Sequence, residues 1–133
     1  IETTLLITDS YMRNHILSDI SKTLAKKHPG LIDKAIKITR LIEDEYRRSV
    51  TQSEIAETFA KKYPGLIDKV IKITRLITDG HRRSISQSNI ARTLATEHPE
   101  LKHKALKITR AITNKDSRTY AQREIALIVE NQL

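Results

Sequence analysis

The tract HPGLIDKAIKITRLI, residues 28–42, decides the fold because the chain carries it three times. It returns as YPGLIDKVIKITRLI at residues 63–77 and as HPELKHKALKITRAI at residues 98–112. Adjacent copies are 35 residues apart, as counted between Pro29 and Pro64. A period of this length is typical of stacked helical units, each too small to bury its apolar face without its neighbours.

The same period divides the rest of the chain into units. Three full units are predicted at residues 15–49, 50–84 and 85–119, flanked by partial units at residues 1–14 and 120–133. This layout fits either a capped domain or a piece of a longer array. With two helices in each unit, we predict a single all-α domain of about eight helices.

The spacing of apolar residues places two helices in each unit. In the second unit, the first helix is predicted over residues 51–62. It opens with the capping-box sequence TQSE and ends at Tyr63, because a residue before proline avoids helical angles. The second helix is predicted from Pro64 to Asp79 or Gly80. Its apolar stripe is wide enough to contact neighbours on two sides.

Charge points to a polyanionic partner. The chain has 24 Lys and Arg against 16 Asp and Glu, a net charge of +8 and a pI near 9.8. Net charge informs on association and not on fold, so a solvated basic surface without a partner is the alternative.

A Lys-Lys-Arg triplet recurs on the second helix of every unit, on the side away from the apolar stripe. The nine residues are Lys34, Lys37, Arg40, Lys69, Lys72, Arg75, Lys104, Lys107 and Arg110. Stacking would align them into a band, and we expect them to contact nucleic-acid phosphates. The alternative is a solvated face, which would tolerate Glu or Gln at some of the nine positions, and neither occurs there.

A second basic cluster is predicted in the linkers between units. It consists of Arg47 and Arg48 in one linker and Arg82 and Arg83 in the next. The first-turn amides of the following helix also favour an anion, so a phosphate could be held there by both. The alternative is that these arginines pair with nearby Asp44, Glu45 or Asp79.

Catalytic and metal sites are not indicated. The chain has no cysteine, its five histidines include no i, i+4 pair of the kind that binds zinc on a helix, and its three glycines form no phosphate loop. We therefore predict no enzyme activity, no cofactor and no metal. No apolar run reaches the ~20 residues of a membrane span, and no signal peptide is evident, so an intracellular location without membrane insertion is expected, either a bacterial cytoplasm or, for an effector, a host nucleus.

The sequences SVTQSEIAETFA (residues 49–60) and SISQSNIARTLA (residues 84–95) resemble the opening helix of helix-turn-helix DNA-binding units. Repeated at this length, they are also similar to transcription activator-like effector repeats. That resemblance implies a right-handed superhelix around DNA, with bases read from the loop between the two helices. The residues in the base-reading position would be Lys26, Lys27, Lys61, Lys62, Thr96 and Glu97. The family's Gly-Gly after this pair is replaced here by a proline turn.

Together these features favour an all-α, right-handed solenoid of two-helix, 35-residue repeats that binds double-stranded DNA. Two alternatives stay open. An RNA-binding array would share the period of pentatricopeptide repeats, although aromatic residues for base stacking make up only 4% of the chain. A protein-binding solenoid would use the same basic face to hold an acidic partner.

Overall fold

The structure is a computed structural model and describes residues 1–132. Within that part of the chain there is no strand, and eight α-helices pack against one another. They are α1 (Glu2–Leu5), α2 (Ser10–Lys27), α3 (Ile32–Thr39), α4 (Glu45–Lys62), α5 (Ile67–Leu76), α6 (Gly80–Glu97), α7 (Lys102–Arg110) and α8 (Lys115–Asn131). The prediction of an all-α chain is confirmed.

Long and short helices alternate after α1. The long helices α2, α4, α6 and α8 begin at residues 10, 45, 80 and 115, and the predicted unit boundaries at 15, 50 and 85 fall inside the first three of them. Each of the short helices α3, α5 and α7 follows a single 3₁₀ turn that starts at a proline. Proline suits that first position, because its missing amide would have no partner there.

The long helices start earlier than the sequence pattern predicted. Asp44 caps α4, its Oδ1 accepting a hydrogen bond of 2.7 Å from the backbone amide of Arg47. Asp9 and Asp79 cap α2 and α6 in the same way, and Asn114 caps α8. The predicted start at Thr51 is therefore wrong: this residue lies in the second turn of a helix that is already formed.

The short helices end earlier than predicted. Helix α5 stops at Leu76, whereas the pattern carried it to Asp79 or Gly80. Those two residues belong to the next helix, Asp79 as its N-cap and Gly80 as its first residue. Glycine is common at the end of a helix, and aspartate is common at the N-cap that starts one. The Asp79-Gly80 pair is therefore compatible with either boundary. The predicted end of the first helix at Tyr63 is confirmed.

The helices pack in two layers. Each long helix packs against the next long one, and each short helix packs against the long helix before it and also touches the one after it. The apolar stripe of α5 is buried between them, with Val70 and Ile77 fully enclosed and Ile73 only 4% exposed. On α4, Ile55, Ala56 and Phe59 form the matching buried face, as the spacing predicted.

The recurring threonines of the short helices are satisfied inside their own helix. The hydroxyls of Thr39, Thr74 and Thr109 donate to the carbonyl three residues earlier, at 2.5, 2.6 and 2.7 Å. A hydroxyl beside an apolar stripe can bond back to its own helix in this way. The other polar residues of the short helices are exposed, apart from the half-buried Lys104.

Candidate nucleic-acid interface

The nine triplet residues, here named the basic band, lie on the outer side of α3, α5 and α7. Eight of them are exposed, and Lys104 is half-buried. Lys34 and Lys37 of α3, and Arg40 directly after it, point away from the buried positions Ile32, Ala35, Ile36 and Thr39. The helical period of 3.6 residues separates the two sets onto opposite faces of each short helix.

Two lysines of the basic band pair with acids of the preceding short helix. Lys69 Nζ lies 3.0 Å from Asp33 Oδ2, and Lys104 Nζ lies 2.9 Å from Asp68 Oδ1. In both pairs the lysine comes 36 residues after the acid, which is one period plus one residue. The pairs join neighbouring short helices along the band, but as exposed ion pairs they stabilise the fold only weakly.

Asp68 also reports the local concentration of positive charge. A hydrogen bond from Lys104 and the charge of that ammonium lower the pKa of Asp68 below its ordinary value of 3.8, with smaller contributions from Lys107 and Lys72. The two last residues belong to different short helices. The cations of adjacent units are therefore close enough to act on one carboxylate together.

Seven residues of the band have no such partner. Within residues 1–132, the side chains of Lys34, Lys37, Arg40, Lys72, Arg75, Lys107 and Arg110 form no ion pair and no hydrogen bond. All seven are exposed on the short helices. An unpaired surface cation is free to meet an anion without first breaking an internal contact.

The second basic cluster lies in a different setting from the one predicted. Arg47 and Arg48 are in the first turn of α4, and Arg82 and Arg83 are in the first turn of α6. The expectation that these four residues occupy linkers is wrong, because the aspartate caps start the helices before them.

Two of these arginines bind backbone. Arg48 Nη1 donates to the carbonyl of Ile42 at 2.9 Å, and Arg83 Nη1 donates to the carbonyl of Ile77 at 2.9 Å. Arg13 and Arg118 make the same contact six residues back, at 3.0 Å each. These four residues, here named the anchoring arginines, satisfy carbonyls left unpaired where the preceding short helix ends.

Their neighbours Arg47 and Arg82 are half-buried between long helices. The Arg47 guanidinium lies 5.1 Å from the centre of the Tyr11 ring, and its Nη1 is 3.3 Å from His15 Nδ1. Arg82 Nε donates to Ser53 Oγ at 3.3 Å. Both side chains therefore have contacts inside the protein.

The six residues in the predicted base-reading position are all exposed. Lys26, Lys27, Lys61, Lys62, Thr96 and Glu97 form the last turns of α2, α4 and α6, just before the proline turns. Lysine at a helix C-terminus is also favoured by the helix dipole, so the fold alone accounts for the four lysines. Thr96 and Glu97 do not follow that preference.

The sequence pattern did not point to Asp33 and Asp68 as partners of lysines in the basic band. A signal was present, since each acid directly precedes the first lysine of its triplet, and the third unit has His103 there. The anchoring arginines also carried a signal, because they recur in register at residues 13, 48, 83 and 118. The recurrence was visible, but the partners of these residues were not.

No protein-family model matches the chain, and comparison with curated proteins and with solved structures gives no match either. The resemblance to transcription activator-like effector repeats thus rests on the short motifs in residues 49–60 and 84–95. Among the helices of residues 1–132, none has the length and apolar character to cross a membrane.

Proposed function

We propose that this chain is a right-handed α-solenoid of two-helix, 35-residue repeats that binds double-stranded DNA through its basic band. The observation that carries the proposal is the set of seven exposed band cations without an internal partner. Each recurs at the same place in its unit, and a duplex presents the same phosphate charge at every step. A repeated contact on the protein then meets a repeated charge on the ligand. The role is binding and not catalysis.

Base readout from the turns is the second part of the proposal. The third unit has Thr-Glu at residues 96–97, where the first two units both have Lys-Lys, whereas the triplets are the same in all three units. Discrimination between base pairs requires donors and acceptors that differ from site to site, and phosphate contacts do not. The resemblance to transcription activator-like effector repeats supports the same assignment.

The experiment is a salt titration of duplex binding, measured by fluorescence anisotropy. If each unit neutralises one or two phosphates, the slope of log affinity against log salt is about −3 to −5. A flat response contradicts phosphate recognition. Single-stranded RNA or an acidic protein that binds more tightly than the duplex at equal salt would instead favour one of the two alternatives.

A matched pair of variants tests the location. Lys72→Ala with Arg75→Ala removes two exposed cations from the band, and Lys115→Ala with Arg123→Ala removes two exposed cations from α8. The change in net charge is the same. We expect the first variant to lose about tenfold in affinity and to reduce the salt slope by about 1 to 2, and the second to lose far less. Equal losses would mean that net charge alone drives binding.

A further inference from the structure

The outer side of the long-helix layer carries two grooves. One lies between α2 and α4 with a volume of about 700 Å³, and the other lies between α6 and α8 with about 540 Å³. Neither is lined by a residue of a short helix. They therefore open on the side of the molecule away from the basic band. The three exposed tyrosines of the chain, Tyr11, Tyr46 and Tyr120, all line these grooves.

The two grooves occupy the same positions of the repeat, two periods apart. Lys22 of the first corresponds to Arg92 of the second, and Glu54 corresponds to Glu124. This correspondence allows the grooves to be compared residue by residue. They differ at three neighbouring positions of the later helix: Tyr46, Arg47 and Val50 of the first groove are Asp116, Ser117 and Tyr120 in the second.

The first groove contains a cation of the protein itself. Arg47 stacks over the ring of Tyr11 at 5.1 Å and reaches His15. Between α4 and α6, the equivalent residue Arg82 reaches across to Ser53. An arginine thus enters the space between long helices at both of these places.

The second groove lacks this arginine, because Ser117 is too short to cross it. A further cavity of about 400 Å³ adjoins the groove at Ser84 and Ser117. The side chain of an arginine at position 117 would begin there. The floor includes Ile85 and Ala121, which are apolar. The space is therefore both open and suited to the methylene stem of a long side chain.

Groups that bind a cation surround this space. Asp116 is exposed, and within residues 1–132 its carboxylate forms no ion pair and no hydrogen bond. Tyr120 lies one helical turn later on the same face and is 69% exposed. Glu124 and Arg92 of the same groove pair with each other. The carboxylate that remains unpaired is thus beside an exposed aromatic ring.

We propose that the groove between α6 and α8 binds an arginine side chain from a segment of a partner protein. The guanidinium pairs with Asp116 and stacks on Tyr120, and its stem lies over Ile85 and Ala121. A planar guanidinium fits this pair of groups better than an ammonium does, because it binds a carboxylate with a fork of donors and stacks on a ring. This site is independent of the basic band. It selects a positively charged segment, whereas the band selects a negatively charged ligand.

The test uses the whole chain and a short fluorescein-labelled peptide of Gly, Ser and Arg, with matched peptides in which Arg is replaced by citrulline or Glu. Citrulline keeps the shape of arginine and removes its charge. We expect saturable binding of the Arg peptide and about tenfold weaker binding of the citrulline peptide, since a charged hydrogen bond is lost. The basic band can attract the Glu peptide, so any binding of that peptide should be unchanged by a substitution in this groove.

The decisive variant is Ser117→Arg, which restores the internal arginine and should abolish peptide binding. Ser117→Ala is its control and should bind as the parent does. Tyr120→Ala should weaken binding about fivefold and Tyr120→Phe should not, because cation–π attraction needs only the ring. Thermal melting of each variant separates a blocked groove from an unfolded protein.

The proposal is overturned if the Arg peptide shows no saturable binding, or if the citrulline peptide binds as well. It is also overturned if a folded Ser117→Arg variant keeps the parent affinity. A single-stranded oligonucleotide could bind in place of the peptide. If its binding is lost in Tyr120→Ala and kept in Tyr120→Phe, the groove stacks bases and the arginine assignment is wrong.

Discussion

The basic band and the anchoring arginines are both sets of cations that recur every 35 residues, yet the structure puts them to different uses. The four anchoring arginines donate to backbone carbonyls at 2.9 to 3.0 Å and hold the ends of short helices. Seven band residues bond to nothing in residues 1–132. Recurrence alone therefore shows that the units share a feature. The bonding partners then separate a feature that supports the fold from one that makes no contact within the protein.

The largest expected effect is the loss of stability when a buried residue of a short helix is shortened. Ile73 is 4% exposed inside the shared apolar cluster. Ile73→Ala should lower the free energy of unfolding by about 2 to 5 kcal/mol, because it removes buried methylenes and leaves a cavity. Chemical denaturation measures it. Lys72→Ala, one residue away but exposed, should change stability by less than about 0.5 kcal/mol.

The next effect separates the two sets of cations directly. Arg83→Ala leaves the Ile77 carbonyl without its donor and should cost about 1.5 to 3 kcal/mol of stability, as expected for a hydrogen bond from a charged group. Arg75→Ala, in the band, should leave stability nearly unchanged. Duplex binding by the folded protein should show the reverse order, with Arg75→Ala the weaker binder.

The comparison fails if both variants behave alike in both measurements. Equal losses of DNA affinity would show that Arg83 also contacts phosphate, as the sequence pattern first suggested. Equal losses of stability would show that Arg75 supports the fold through contacts that its exposure does not reveal.

The sequence pattern was sufficient to predict which face of α4 is buried and where that helix ends. Pro64 alone determines where α4 stops, and the spacing of Ile55, Ala56 and Phe59 determines which side is buried. The start of α4 was missed because two cap signals compete. Asp44 takes the role, and Thr51 instead bonds back to the carbonyl of Arg47 at 2.7 Å. Local chemistry at either position is acceptable, so the choice depends on the packing of the whole helix.

The candidate site was predictable only in its composition. The triplets could be located on one face, since the helical period is known. The pairing of Lys69 with Asp33 depends on how far one short helix is displaced along the next, and a single helix carries no information on that displacement. The same limit applies to the grooves, because each is formed by two helices.

A smaller effect tests the turns, where the units differ. The combined changes Thr96→Lys, Glu97→Lys and Glu100→Gly copy the turn of the second unit into the third. If the turns read bases, the preferred base at one step of the site should change by about 1 kcal/mol in relative affinity. Binding to a library of duplexes measures it. Tighter binding to every sequence, without a change of preference, would show that Glu97 and Glu100 act only as repulsive charges.

The smallest effect concerns the acids inside the band. Asp68→Asn removes a carboxylate that holds Lys104, so the variant should bind duplex DNA about two- to threefold more tightly at low salt, and the gain should shrink as salt rises. Asp116→Asn, which removes an exposed carboxylate on α8 and not in the band, is the matched control and should change DNA affinity less. Anisotropy titrations at two salt concentrations are sufficient.

The Asp68 carboxylate should also affect the stability of the protein. The pKa of Asp68 is lowered in the folded state, so the ion pair stabilises the protein above pH 3.8, the ordinary pKa, and this contribution is lost as pH falls through the lower folded value. The melting temperatures of the parent and of Asp68→Asn should therefore differ slightly at neutral pH and converge in acid. If the variant binds DNA more weakly than the parent, Asp68 orients Lys104 for phosphate, and the paired lysines belong with the seven unpaired ones as ligand contacts.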